Sequence, residues 1–513
     1  MKVRSIGKPL RGSSTLEILI ASVVLTLALS AAALVIYGNR EATLLARLNR
    51  EALSYAEAQL EDARALSRVD NNLVVATTSS VTNGPLVFTK VLTVSQVDLF
   101  LKQATSTVSF MLGGRVQKIE LSTYMGDMNG VQGGSTCSSV VVGNWSNPQM
   151  SAPIDVGTNP SGNPITAVVA YNKKLYVTAS NTHGHNDDLY IFSLANPTLP
   201  VPLGSIDANT TTPGQNGLAI ASTTTAVYAF VANANPSNWS TCSVGPSCAQ
   251  VQVVDVTNAV SPAVVANIKI PSASAPLVLG SGGQAIGNAV TYKNGYLYIG
   301  LTKTSSGPEF SIYDVGGGTG SPRTPIYKGS YAVGRGINNI LVSNGFAYLA
   351  TSDSNRELLV LDVHNPSAPN AVGLFNAPGS ANFGAGYSLA LVGRTLYFGR
   401  NYVGNAPEFY MLDASNPATT LPVLTSLDVG TPADPESING LVVRDNLLYM
   451  IATQFLKIYT MQNSTTLTLI RSFDLSSSGG VGAASGCEGN YVYIGGYRTN
   501  NDKGVIYVVS PGP

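Results

Sequence analysis

The chain has 513 residues, with 29 Lys+Arg balanced by 29 Asp+Glu and a pI near 6.8. With no basic patch and no charge asymmetry, it argues against a nucleic-acid partner. Charged residues make up only 11%, against roughly 25% in ordinary soluble domains; Ser, Thr, Asn and Gly replace them, and with 24 Tyr the balance suits an extracytoplasmic β-rich protein better than a cytosolic enzyme.

At the N-terminus, Lys2, Arg4, Lys8 and Arg11 precede an uncharged, mostly apolar run over 18–36. At ~1.5 Å per residue this run just spans a hydrocarbon core of roughly 30 Å. The basic leader should stay cytoplasmic, with everything after the run outside. One reading is a secretory signal peptide cleaved at "LSAAA"; another is a plain membrane anchor. The run is longer than the usual apolar core of a signal peptide, however, and the helical pattern continues beyond it. Leu45, Leu48, Ala52, Tyr55, Gln59, Ala63 and Leu66 recur at three- and four-residue spacings, one stripe of a helix. A single helix over 14–67 would be about 80 Å long.

A basic leader ending in Gly12, an acid at Glu17, an apolar run and one long helix resemble the type IV pilins and pseudopilins. The resemblance implies a leader over 1–12, removed by a prepilin peptidase between Gly12 and Ser13. It implies N-methylation of Ser13, and a helix over 13–67 that sits in the inner membrane before joining other pilin subunits. It also implies that Glu17 pairs with the N-terminal amine of a neighbouring subunit. The physics agrees, because a carboxylate in low dielectric is costly unless it finds a cation.

Next, 68–125 reads as a small β head. Short alternating runs with Gly turns over 84–130 predict three or four antiparallel strands, similar to the sheet that pilin heads pack on their helix. A flexible linker over 126–139 follows.

From 165 onward one unit recurs. A small-apolar strand, a turn and an aromatic strand appear in "ITAVVAYNKKLYVTAS", "IGNAVTYKNGYLYIGL", "INNILVSNGFAYLATS" and "INGLVVRDNLLYMIAT". A third strand runs into an Asn-Pro type turn, as in "LLVLDVHNPSAP", and a fourth strand follows. Units start near 165, 216, 286, 337, 387, 438 and 482. Four strands per unit of this length predict a seven-bladed β-propeller over 140–513. The last unit stops after three strands, and "GNWSNPQMSAPIDVGTN" (143–159) should supply its fourth and close the ring, removing an open edge. The third-strand pattern resembles the LVIVD-type repeats of bacterial surface propellers, which implies fold rather than activity.

Cys137, Cys242, Cys248 and Cys487 lack zinc spacing. In an exported chain they favour disulfides. Cys242 with Cys248 would close a small loop, and Cys137 with Cys487 would staple the ring; four unpaired core thiols are the alternative.

No catalytic motif, cofactor signature or phosphate-binding loop is present, so the reading is of a non-enzyme without cofactors. His183, His185, Asp187 and Asp188 share one loop, a candidate metal site or else a solvated polar loop. Trp239, Arg335, Arg400, Tyr402 and Arg498 lie in the variable loops expected on one face, where recognition usually sits, and are candidate ligand contacts. The expectation is a minor or tip pilin-like protein, first in the inner membrane and then on an extracellular filament. There it would display its propeller to an unknown surface, glycan or protein ligand. Alternatives are a pseudopilin-like structural tip of a secretion or DNA-uptake machine, and a pilin-anchored propeller enzyme.

Overall fold

The computed structural model describes residues 13–69, 74–98, 101–126, 141–157, 162–180, 187–208, 214–233, 249–270, 278–279, 283–284, 286–304, 307–379, 383–463, 466–476 and 480–513. The chain divides into two units, with the boundary near residue 126.

The first unit begins with one continuous helix, Ser13–Val69, of 57 residues, or ~85 Å. Its N-terminal half is long and apolar enough to cross a membrane by length and composition, as an anchor or a signal sequence would be. Three of its polar side chains are satisfied locally. Ser22, Thr26 and Ser30 each donate a hydroxyl to a carbonyl one turn back, at 2.9, 2.7 and 2.7 Å, so they leave no stray donor to desolvate.

The C-terminal half of the helix packs on an antiparallel meander: Thr77–Asn83, Leu86–Asp98, Leu101–Leu112 and Arg115–Gly126. Leu48, Ala52 and Ala56 bury against Phe88, Val108 and Phe110, with Tyr55 edge-on to Phe88 at 5.3 Å. Gln59, the one polar member of the predicted stripe, accepts a 2.7 Å hydrogen bond from buried Ser106. Leu66 does not follow the stripe: it is exposed, while Leu60 and Ser67 are buried. The meander also starts earlier than expected. Its first strand, "TTSSVTN", is polar and almost wholly exposed, an edge strand with no apolar alternation to announce it.

The second unit is a succession of antiparallel sheets. Their first strands are Ile165–Tyr171, Gln215–Ser222, Gly287–Lys293, Ile337–Ser343, Gly386–Val392, Ile438–Arg444 and Gly480–Glu488, each within two residues of the start read from the repeat. We number these sheets 1 to 7. Sheets 1 to 6 are four-stranded meanders. Sheet 7 has three consecutive strands and then takes Asn144–Met150 as its fourth, so its outer edge is covered from the far end of the unit. The covering segment is two strands rather than one, with Ile154–Asp155 also pairing to Gly504–Gly512. Pro153 lies between them and has no N–H for the ladder. A short hairpin, Val278–Leu279 with Gly283–Gln284, lies outside the repeat pattern.

Each sheet packs its first strand on the first strand of the next, and sheet 7 packs on sheet 1. The apolar core follows that cycle. One cluster fills each space between neighbours: Ile191 and Val231 between sheets 1 and 2, Leu358 and Phe398 between 4 and 5, Ile165 and Tyr493 between 7 and 1. Third strands end in Asp255, Asp314, Asp362 and Asp413, each accepting the backbone N–H two residues on at 3.0 Å, which forms the turn that precedes the fourth strand. Gly373 on a fourth strand shows why the turns fit: a Cβ there would lie 2.0 Å from the Pro417 carbonyl in the next sheet's Asn-Pro turn.

Candidate binding cavity

Every first strand in the second unit carries a bulge near its start, after Ile165, Gln215, Gly287, Ile337, Gly386, Ile438 and Gly482. An extra residue in a strand re-aims its side chain. The bulged positions hold Thr166, Asn216, Asn288, Asn338, Tyr387, Asn439 and Ala483, and all of them line one cavity of about 450 Å³.

Most of these side chains reach the backbone of the following sheet. Thr166 Oγ1 donates to the Gln215 carbonyl at 2.6 Å. Asn216, Asn288, Asn338 and Asn439 donate through Nδ2 to the carbonyls of Gly287, Ile337, Gly386 and Gly482, at 3.0, 2.8, 2.8 and 2.7 Å. In sheet 5 the bulge is Tyr387, and its neighbour Ser388 makes the link, to the Ile438 carbonyl at 2.8 Å. Six junctions are bridged in this way. At the seventh the residue is Ala483, which has no donor to offer Ile165.

These links fix the amide orientation, because a flipped Asn would set Oδ1 against a carbonyl. The recurring Asn was visible in "GQNG", "IGNA", "INNI" and "INGL", but alternation alone gives it no more weight than any polar strand residue.

A second set of polar groups sits just ahead of the third strands. Glu309, Glu357 and Glu408 are buried there and hold the connection to the next sheet. Glu309 Oε2 accepts from the Gly334 N–H, Glu357 Oε2 from Ala377, and Glu408 Oε2 from Val429 and Gly430, at 2.8–3.1 Å. Their electrostatics differ. Glu357 faces Arg400 at 3.0 Å with both side chains fully buried. Burial raises its pKa while the guanidinium and the Ala377 N–H pull it back. Glu408 has no cation. Burial raises its pKa, two backbone N–H groups oppose this, and Asp428 adds to it. Glu436, in the next connection, is likewise raised by burial.

The candidate contacts divide on inspection. Arg400 is not a loop residue offered to a ligand: it ends a second strand and is spent on Glu357, Pro407 and Pro378. Arg498 ion-pairs with Asp155 of the covering segment at 2.8 Å, joined by Lys503 at 3.4 Å, so its charge serves the outer edge of sheet 7. Arg335 is exposed and, among the described residues, bonds its neighbour's carbonyl at 3.5 Å. Tyr402 is half-buried, beside Gly430, and its hydroxyl pKa is raised by burial and then by Glu408 and Asp428. Phe383, unremarked in the sequence, is 78% exposed.

Trp239, Cys137, Cys242, Cys248, His183, His185 and Gly12 lie outside the described residues, as does the side chain of Ser13. Glu17 is exposed on the helix. Asp188 is fully buried, 3.5 Å from Gln215 Nε2, and Asp187 accepts from Ser205. Among the described residues there is no cluster of His, Cys, Asp and Glu that could hold a metal ion. Cys487 is buried and disulfide-bonded, in the same cluster as Trp145.

Comparison with known proteins adds one family match. The LVIVD repeat matches residues 334–377, which comprise sheet 4 and its entry loop. A search of curated proteins finds no match. Among solved structures the chain is similar to the AfRom2 CNH domain, at 8% identity over 71% of this chain and 98% of that one, with a TM-score of 0.36.

Proposed function

We propose that this protein is a minor or tip pilin-like subunit whose second unit is a seven-bladed β-propeller displayed for adhesion or ligand recognition. The observation that carries the reading is the pairing of two features in one chain. An unbroken 57-residue helix is apolar over its first half and bears Glu17 near its start. It precedes a cycle of sheets that returns to its own beginning. The meander of 77–126 would be the head that braces the helix in a filament. The helix would leave the bilayer by packing its apolar half against sister helices, with Glu17 drawn to a neighbour's N-terminal amine.

Mass spectrometry of the native N-terminus tests this. A mature chain starting at methylated Ser13 supports the reading. A start after the "LSAAA" segment would leave a freely secreted protein and overturn it. Glu17→Leu is expected to abolish recovery of the protein in sheared surface filaments while leaving it in the membrane fraction.

A further inference from the structure

We propose that the cavity at the bulged residues binds a small, uncharged, hydroxyl-rich ligand: a monosaccharide or the terminal residue of a glycan. The inference rests on the display reading above and names the class of ligand displayed for. Its volume, about 450 Å³, falls in the range of small-molecule sites, roughly 300–1,000 Å³.

Three observations select the chemistry. Among the described residues no Lys, Arg, Asp, Glu or His lines the cavity, so its wall offers no full counter-charge to a charged ligand. Its polar wall is rich in acceptors: each lining Asn has its amide nitrogen bound to a neighbouring backbone carbonyl, and Oδ1 of Asn216, Asn288 and Asn439 accepts no hydrogen bond from the described residues. Hydroxyl groups are uncharged donors that match such a wall. Tyr387 and Tyr497 also line it, adding aromatic surface of the kind that covers the apolar face of a sugar ring.

The sector beside sheet 7 is where a ligand would seat. Ala483 leaves a gap where the other junctions carry a linking side chain. Two residues on, Ser485 contributes to the wall, and its buried Oγ, packed beside Gly440, has no hydrogen-bond partner among the described residues. An unpaired buried hydroxyl is destabilising, and a turn of the Ser485 side chain toward the cavity would let a ligand hydroxyl satisfy it.

The test uses the full chain in a detergent without a sugar headgroup. Glucose, galactose, mannose and N-acetylglucosamine are screened by saturation-transfer NMR, with glucuronate and glucosamine as charged controls. At least one neutral sugar is expected to bind, and the charged controls to bind at least tenfold more weakly. Ala483→Asn should fill the gap and complete the missing link, lowering affinity about tenfold with no loss in melting temperature. Should that variant fail to fold, Ser485→Ala decides, with a fivefold loss expected. Absence of binding by every neutral sugar, equal binding of the charged controls, or full affinity in the deciding variant overturns the proposal. Filament recovery of Glu17→Leu reports on the display reading alone, so the two fail separately.

Discussion

Six of the sheet junctions and the seventh reach the same packing by different means. The six join segments consecutive in the chain, 42 to 72 residues apart, and each is pinned beside the first-strand bulge by a side chain bound to the next backbone. The seventh joins ends more than three hundred residues apart, at an added loop-closure cost of roughly 2 kcal/mol. Its bulged position is Ala483, and its fastening lies on the outer edge. There Asn144–Met150 completes the sheet, and Trp145 buries against Tyr449 at 5.3 Å and bonds to the Val142 carbonyl. Asp155 meets Arg498 and Lys503, and Asn490 ties to Val142. A whole strand and an aromatic anchor offset what a single side-chain link would not.

The largest expected effect comes from breaking the outer fastening. Trp145→Ala should cost about 3–5 kcal/mol, measured by denaturant unfolding of the full chain in detergent. A cost below 1 kcal/mol would mean that the covering segment is peripheral. At a local junction, Asn288→Ala should cost only about 1–2 kcal/mol, since the core cluster between sheets 3 and 4 stays intact.

Acid–base behaviour also separates regions. Asp314 accepts from Gly316, Gly317, Gly318 and Gly320. Burial alone would raise its pKa, but these bonds outweigh it and bring it to about 2. The stability it contributes is present above the ordinary carboxyl pKa and lost as pH falls toward 2. Glu408 has the opposite sign. Its raised pKa means that stability is full below the unfolded value and lost as pH rises through the folded one. Glu408→Gln should therefore leave the melting temperature nearly unchanged at pH 4 and raise it at pH 8; Asp314→Asn should lower it at pH 7, with the difference shrinking toward pH 2. The smallest effect belongs to Ala483→Asn, which supplies the missing link and should add about 1 kcal/mol. A loss there would show that the seventh junction tolerates no donor.

Much of this architecture was legible in residue order. Apolar–turn–aromatic runs mark every first strand, and the truncated last unit points to a covering strand near residue 143. What escaped shares a physical cause. "TTSSVTN" pairs through its backbone, which leaves no trace in side-chain pattern. Arg400 sits among loop-like residues, and only tertiary packing reveals that Glu357 waits beside it. The bulged Asn residues recur in plain view, yet their role depends on a register shift that periodicity cannot show.

Residues 144–155 must be part of the last sheet if sheet 7 is to be covered at its outer edge. Amide hydrogen exchange followed by mass spectrometry measures this. Ser151 donates to the Val508 carbonyl and Val156 to Gly504, both at 2.9 Å, and the expected result is protection across 144–156 matching that of the first strands. Exchange of that segment within seconds, with 504–512 unprotected beside it, would contradict the closed cycle.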